Sequence, residues 1–252
     1  MISLKTLIVE GRYDALVTKL SKQLLDVIKK SFAATQNERG EFAGVKIHFK
    51  EDESRPRIDS DKFKEVFFEE IENETIPVEF YLTLKVQWID GFNDLRKGGD
   101  AYNDDTDYDS TEDATPPLVE IRFEIDPIEY PQVLSEIAME LRDTLRHEIE
   151  HVTQSGWNLK SGKYLPSDQH LRKKIETGEL PAVEYFLLPK EIDANLQGLY
   201  LQAKKSRKPF AEIVNSYLDN FVYGKVISQQ EKETILSAWR KRMPALSIRQ
   251  EL

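Results

Sequence analysis

After an N-terminal helical stretch, the spacing of hydrophobic residues shifts from two to three and four near residue 126, and that shift restricts the fold more than any other feature. Upstream of it, apolar residues recur at every second position. Val78, Phe80, Leu82, Leu84, Val86 and Trp88 share one side of segment 77–89, and Val119, Ile121, Phe123 and Ile125 share one side of 118–126. Period two marks a strand whose successive side chains point to opposite faces. A shorter alternation of Val45, Ile47 and Phe49 predicts a strand over 44–50, while 61–72 fits strand or helix equally. Downstream, the spacing lengthens to three and four. Leu134, Ile137, Ala138, Leu141, Leu145, Ile149 and Val152 form one stripe of a helix over 131–155. Further helices are expected over 168–176, 189–205, 209–222 and 229–243. One helix precedes the strands, over 4–33, where Leu16, Leu20, Leu24, Ile28 and Phe32 recur at spacing four.

These elements predict an α+β fold, with a small mixed or antiparallel sheet in the first half and a helical second half. At 252 residues the chain is long enough for one large domain. It reads as a single unit, with a helix and sheet over 1–126 and a helical part over 127–252. Segment 90–117 carries the acidic run Asp100 to Asp113 and few apolar residues, which predicts a flexible loop. A calcium loop is a weaker fit, because the glycine and the terminal glutamate of an EF-hand are missing at the required offsets.

Charge and composition narrow the function. The net charge is -10, the opposite sign to a duplex-binding surface, so direct nucleic-acid binding is not expected. The basic runs Lys204 to Lys208 and Arg240 to Arg242 read as solvated helix ends. No stretch approaches the ~18 apolar residues of a membrane span, and the first residues lack a signal-peptide pattern. A cytoplasmic location without membrane contact is the expectation. The chain has no cysteine, so any transition-metal site must use His, Asp or Glu.

The helix over 131–155 contains His147-Glu148-Ile149-Glu150-His151, an HExxH pattern. On a helix, positions i and i+4 lie on one face about one turn apart, so two imidazoles can reach one metal ion. Glu148 is rotated roughly 100° from His147, within reach of a water at that ion without ligating it. Glu150 is expected to face solvent. A catalytic zinc usually takes three protein ligands and a water. The third is expected in PKEIDANLQGLY, where Glu191 sits in the first turn of its helix; Asp193, His170 and Asp168 are the alternatives.

HEIEH followed by EIDAN resembles the zincin metallopeptidases, and within them the gluzincins, whose third ligand is a glutamate. The second segment is also similar to that of the ImmA/IrrE-type peptidases. The resemblance covers about 40 residues in two short helices. It implies a zinc-dependent peptidase in which His147, His151 and Glu191 hold the metal and Glu148 is the general base. It also implies a zincin-like core in which the two helices pack together. Many gluzincins carry Asp four residues after the ligand glutamate; here Asn195 stands there, able to accept a ligand histidine's N–H but not to supply charge. Zincins present an edge strand beside the motif helix on which an extended substrate can lie, and 118–126 is the candidate for it.

The expected partner is therefore a protein or peptide substrate. Tyr185 is the first candidate for the donor that stabilises an oxyanion during attack on the scissile carbonyl, with Tyr200 and His170 behind it. Two other readings fit the same motif: a catalytically inactive scaffold that keeps the zincin fold, and a regulatory peptidase that cleaves a repressor, as in the ImmA/IrrE group.

Overall fold

The computed structural model describes residues 13–37, 64–73, 78–89, 95–102, 116–158 and 163–252. The architecture is α+β, with a four-stranded mixed sheet in the first half and helices through the second. The elements are α1 (Asp14–Asn37), β1 (Lys64–Asn73), β2 (Val78–Trp88), β3 (Leu95–Tyr102), β4 (Leu118–Ile125), α2 (Tyr130–Thr153), α3 (Gln169–Glu176), α4 (Pro189–Ser206), α5 (Phe210–Tyr223) and α6 (Gln229–Arg242). A 3-10 turn, Ala182–Leu187, leads into α4, and another, Met243–Leu246, follows α6.

The sheet order is β1-β2-β4-β3. β2 and β4 run parallel in the centre, and β1 and β3 pair antiparallel on the outside. The alternating residues of β2 and β4 are buried and meet Leu16, Leu20, Leu24 and Ile28 of α1 and the Ile137–Val152 stripe of α2 in one core. Phe32 of α1 closes this core against Trp88 and Tyr130, with ring centroids 5.2 and 4.2 Å away. A second core joins α4, α5 and α6 around Trp239, whose indole N–H donates to the Phe186 carbonyl at 3.0 Å. α4 touches both cores, because Leu201 belongs to the first and Leu196, Leu199 and Ala203 to the second.

Three expectations change. Segment 90–117 is not wholly loop, since its residues 95–102 form β3; Gly98 and Gly99 weaken the strand signal there, and the acidic run begins inside it. The candidate edge strand 118–126 is β4, which has a neighbour on each side; β1 and β3 are the edges among the described residues, and β3 is the one that pairs with β4. Of segment 61–72, open between helix and strand, residues 64–72 fall in β1, and 61–63 lie outside the described residues. The predicted strand over 44–50 lies outside the described residues, as do residues 4–12 of the first helix. Among the described residues, no helix is long and apolar enough to cross a membrane.

Candidate metal centre

α2 lays its apolar stripe on the sheet, and this fixes the rotation of the whole HExxH motif. Ile137, Leu141, Leu145, Ile149 and Val152 are fully buried, so His147 and His151 fall on the flank of the helix, toward α4. α4 comes close because Gly198 has no side chain. A Cβ there would meet Asp143 Oδ1 at 2.8 Å and the Asp143 carbonyl at 3.3 Å. Pro189 opens α4, where its missing N–H costs nothing. Glu191 then sits in the first turn, two turns before Gly198 on the same face, and points at the two imidazoles.

The three side chains converge. His147 Nε2 and His151 Nε2 are 3.1 Å apart. Glu191 Oε1 is 3.2 Å from His151 Nε2, and Glu191 Oε2 is 3.5 Å from His147 Nε2. A tetrahedral zinc with bonds of ~2.0–2.1 Å separates its ligand atoms by roughly 3.3 Å, close to the separation of the two imidazole nitrogens and to the distance from each of them to one of the two Glu191 oxygens. Glu191 is fully buried, and its Oε2 has no hydrogen-bond partner. A buried carboxylate oxygen left without a donor is costly. A cation held among these atoms removes the cost. The group His147, His151 and Glu191 is therefore able to hold a metal ion, with one ligand atom from each residue and all within 4.8 Å of one another. Burial alone would raise the Glu191 pKa. The electrostatic influence of His151, and of His147 beside it, overcomes burial and holds it well below the usual carboxylate range, in the form a metal requires.

Glu148 lies on the sheet side of the same helix. β3 crosses directly over it at Gly99, where a Cβ would lie 2.9 Å from Glu148 Oε1 and 2.2 Å from Thr144 Cγ2. The general-base candidate and the edge strand thus share one wall of the site.

Around Glu191 the structure adds groups that motif reading did not name. Arg172 of α3 donates through Nε to Asp168 Oδ1 at 2.8 Å and through Nη2 to Glu191 Oε1 at 2.5 Å. Asp168 is thus the partner of Arg172 and stands outside the metal-capable group, while Asp193 pairs with Arg242 at 2.6 Å. Tyr185 is at the site, beside Glu191 and under the Arg172 guanidinium, which lies 5.6 Å from its ring centroid; burial and the Glu191 carboxylate push its pKa up, so its hydroxyl stays protonated. Tyr200 packs edge-on against Phe210 at 5.6 Å, in the second core, and His170 is exposed on α3.

Two further expectations are corrected. Asn195 does not accept from a ligand histidine. Its amide donates to the Glu191 carbonyl at 2.8 Å, and its own carbonyl accepts from the Tyr217 hydroxyl at 2.9 Å, so it braces the backbone of Glu191. Glu150 does not face solvent. It is fully buried, between Arg146 Nη1 at 2.9 Å and Lys163 Nζ at 2.9 Å. The expectation treated α2 as a helix with one buried side, whereas its other side is covered too. Arg146 continues the network to Gln197 of α4 at 2.8 Å.

Some of these groups left a sequence signal. Asp168 and Arg172 stand at i and i+4, the spacing of a helix ion pair. A glycine inside a helix, such as Gly198, implies a packing reason. Tyr217 left none, because its partner is 22 residues away. Within the basic runs, Lys204 pairs with Asp14 at 2.7 Å, Lys208 with Glu212 at 3.2 Å and Arg242 with Asp193 at 2.6 Å. No family model, no curated protein and no solved structure matches this chain.

Proposed function

We propose that this protein is a zinc-dependent metallopeptidase of zincin type, acting on a protein or peptide substrate. The observation that carries the reading is the convergence of His147, His151 and the buried Glu191 carboxylate, whose Oε2 has no hydrogen-bond partner, within reach of one ion. Zinc is the ion favoured by a two-nitrogen, one-carboxylate set with an open position. When bound, it supplies Lewis acidity and lowers the pKa of water at that position toward ~7.

The residues of the chain do the rest. His147, His151 and Glu191 hold the ion. Asn195 and Tyr217 keep the first turn of α4 in place. Glu148 accepts a proton at its carboxylate and passes it to the leaving amine. β3, open on its outer side among the described residues, aligns an extended substrate by main-chain hydrogen bonds along the wall that holds Glu148.

The test is metal analysis of the purified chain, followed by a proteome-wide cleavage screen of wild type against Glu148→Gln. One zinc per chain is expected in both, with cleavage lost only in the variant. Loss of zinc from Glu148→Gln would make Glu148 a ligand and overturn its role as base. Zinc in both with no cleavage by either would leave the scaffold reading standing.

A further inference from the structure

We infer that Arg242 is a positioning residue for the metal centre: through Asp193 it fixes the rotation of α4 that aims Glu191 at the two imidazoles. The inference deepens the metal-site reading above and rests on it. Glu191 and Asp193 stand two residues apart on α4, so at roughly 100° per residue they point to nearly opposite sides of the helix. On one side Glu191 lies 3.2 Å from His151 Nε2 and 3.5 Å from His147 Nε2. On the other, Arg242 at the end of α6 grips Asp193 at two points, Nε to Oδ1 at 2.6 Å and Nη2 to Oδ2 at 2.7 Å. A two-point pair of this kind fixes direction as well as distance. Asp193 is buried. A buried carboxylate that loses its cation is strongly unfavourable where it stands, so the first turn of α4 would have to shift to bring it to water. The same shift carries Glu191 away from the imidazoles.

The rest of the α5–α6 pair acts on the same segment. The Trp239 indole N–H donates to the Phe186 carbonyl at 3.0 Å, and the Tyr217 hydroxyl donates to the Asn195 carbonyl at 2.9 Å. Phe186, Asp193 and Asn195 bracket Glu191 along the chain. α6 is itself a firm support, because Trp239, one turn before Arg242, is fully buried in the second core. Arg242 passes that rigidity to the charged side of α4. His147 and His151 are placed differently, by the apolar stripe of α2, so loss of Arg242 should disturb one half of the centre and spare the other. The Arg242 side chain is 40% exposed, so replacing it empties no space in either core.

The experiment measures zinc dissociation constants, by competition with a chromophoric chelator, together with melting temperatures and amide hydrogen exchange of the chelator-treated chain. Wild type, Arg242→Met, Arg242→Lys, Asp193→Asn and the Arg242→Met/Asp193→Asn pair are compared, with Asp219→Asn as a reference. Groups that orient a metal ligand typically change affinity by about 10–100-fold, and Arg242 acts at one remove, so Arg242→Met is expected to weaken zinc binding about tenfold. Its exchange should rise in the first two turns of α4 and stay as in wild type over His147 to His151. Arg242→Lys, which keeps the charge but not the planar fork, should recover part of both. Asp193→Asn loosens the grip from the other side; it should weaken zinc by a smaller factor, and it carries the test if Arg242→Met does not fold. Because Arg242 acts through Asp193, the double variant should lose no more affinity than Arg242→Met alone. Asp219→Asn removes the exposed partner of the buried Lys232, at 2.6 Å within the α5–α6 pair, and should lower the melting temperature with zinc affinity unchanged. Wild-type affinity in Arg242→Met, or in Asp193→Asn in its place, would overturn the inference. So would losses that add in the double variant, or an Asp219→Asn chain that loses as much affinity as Arg242→Met, since the effect would then be one of general stability. Those outcomes all require a wild type that binds zinc; a wild type that binds none would instead sink the metal-site reading, and this inference with it.

Discussion

Gly98 and Gly99 are adjacent in β3, and the structure separates their roles sharply enough to predict opposite outcomes for one substitution. Alanine normally improves on glycine in a strand by roughly 0.5–1 kcal/mol, because glycine has more backbone freedom to lose. At Gly98 a Cβ meets nothing within 4 Å, so Gly98→Ala should be neutral or stabilising by that amount. At Gly99 the Cβ lies 2.2 Å from Thr144 Cγ2, against the 3.5–4.0 Å at which carbon atoms attract. About 1.5 Å of movement is needed, and Thr144 sits on a helix whose neighbouring apolar stripe is locked into the core. Overpacking of this kind costs about 1–3 kcal/mol, or roughly 2–10 °C of melting temperature for a chain of this size. Glu148 Oε1, 2.9 Å from the same point, is displaced as well. Thermal unfolding of Gly98→Ala, Gly99→Ala, Thr144→Ser and the Gly99→Ala/Thr144→Ser pair makes the measurement. Thr144→Ser removes only Cγ2, so the double variant should recover part of the loss as a favourable coupling energy. A Gly99→Ala chain as stable as Gly98→Ala would refute the close crossing of β3 over α2, and with it the placement of Glu148 against the edge strand.

Other outcomes follow from single contacts. Glu191→Gln should abolish tight zinc binding while leaving the fold intact, read by metal analysis and circular dichroism. Tyr217→Phe leaves the buried Asn195 carbonyl without its donor, and should cost about 1–3 kcal/mol in urea unfolding. Gly198→Ala is expected to push α4 off α2 at Asp143 and so weaken zinc binding more than it lowers the melting temperature. Glu150→Gln breaks a buried ion network and should cost about 3–5 kcal/mol at pH 7. Burial alone would raise the Glu150 pKa, but Arg146 and Lys163 hold it below its ordinary value. Its stabilising effect is therefore full above the unfolded carboxyl pKa of about 4.3 and fades as pH falls through the lower folded value. The difference in unfolding free energy between wild type and Glu150→Gln should shrink between pH 5 and acid; a constant difference would mean that Glu150 does not titrate as a paired carboxylate.

What the sequence made legible was local and periodic. β2, β4 and α2 were readable because each buries one face against the core, and alternation or spacing of three and four records that face directly. The His147–His151 pair was readable for the same reason, since i and i+4 on a helix need no knowledge of the rest of the chain. β3 was hidden because its two glycines carry no side-chain pattern, although one of them, Gly99, is what lets the strand reach Glu148. Glu150 was misjudged because a stripe reports only the side of a helix that meets an apolar neighbour. A second side covered by Arg146, Lys163 and Gln197 is polar, and in sequence it looks the same as one facing water.

The same distinction explains why the centre is built from two kinds of restraint. The histidines are positioned by apolar burial, which rotates α2 and is insensitive to the charge at the site. Glu191 is positioned by polar contacts from three elements: the imidazoles on α2, Arg172 on α3, and the Asn195 amide one turn along α4. Removing an apolar residue from the α2 stripe should therefore lower stability with little change in the metal geometry. Removing one of the polar partners of Glu191 should change metal affinity by more than it changes stability. The third ligand is thus the adjustable member of the set. It is also the member that spacing alone could not assign, because none of the contacts that place it is periodic.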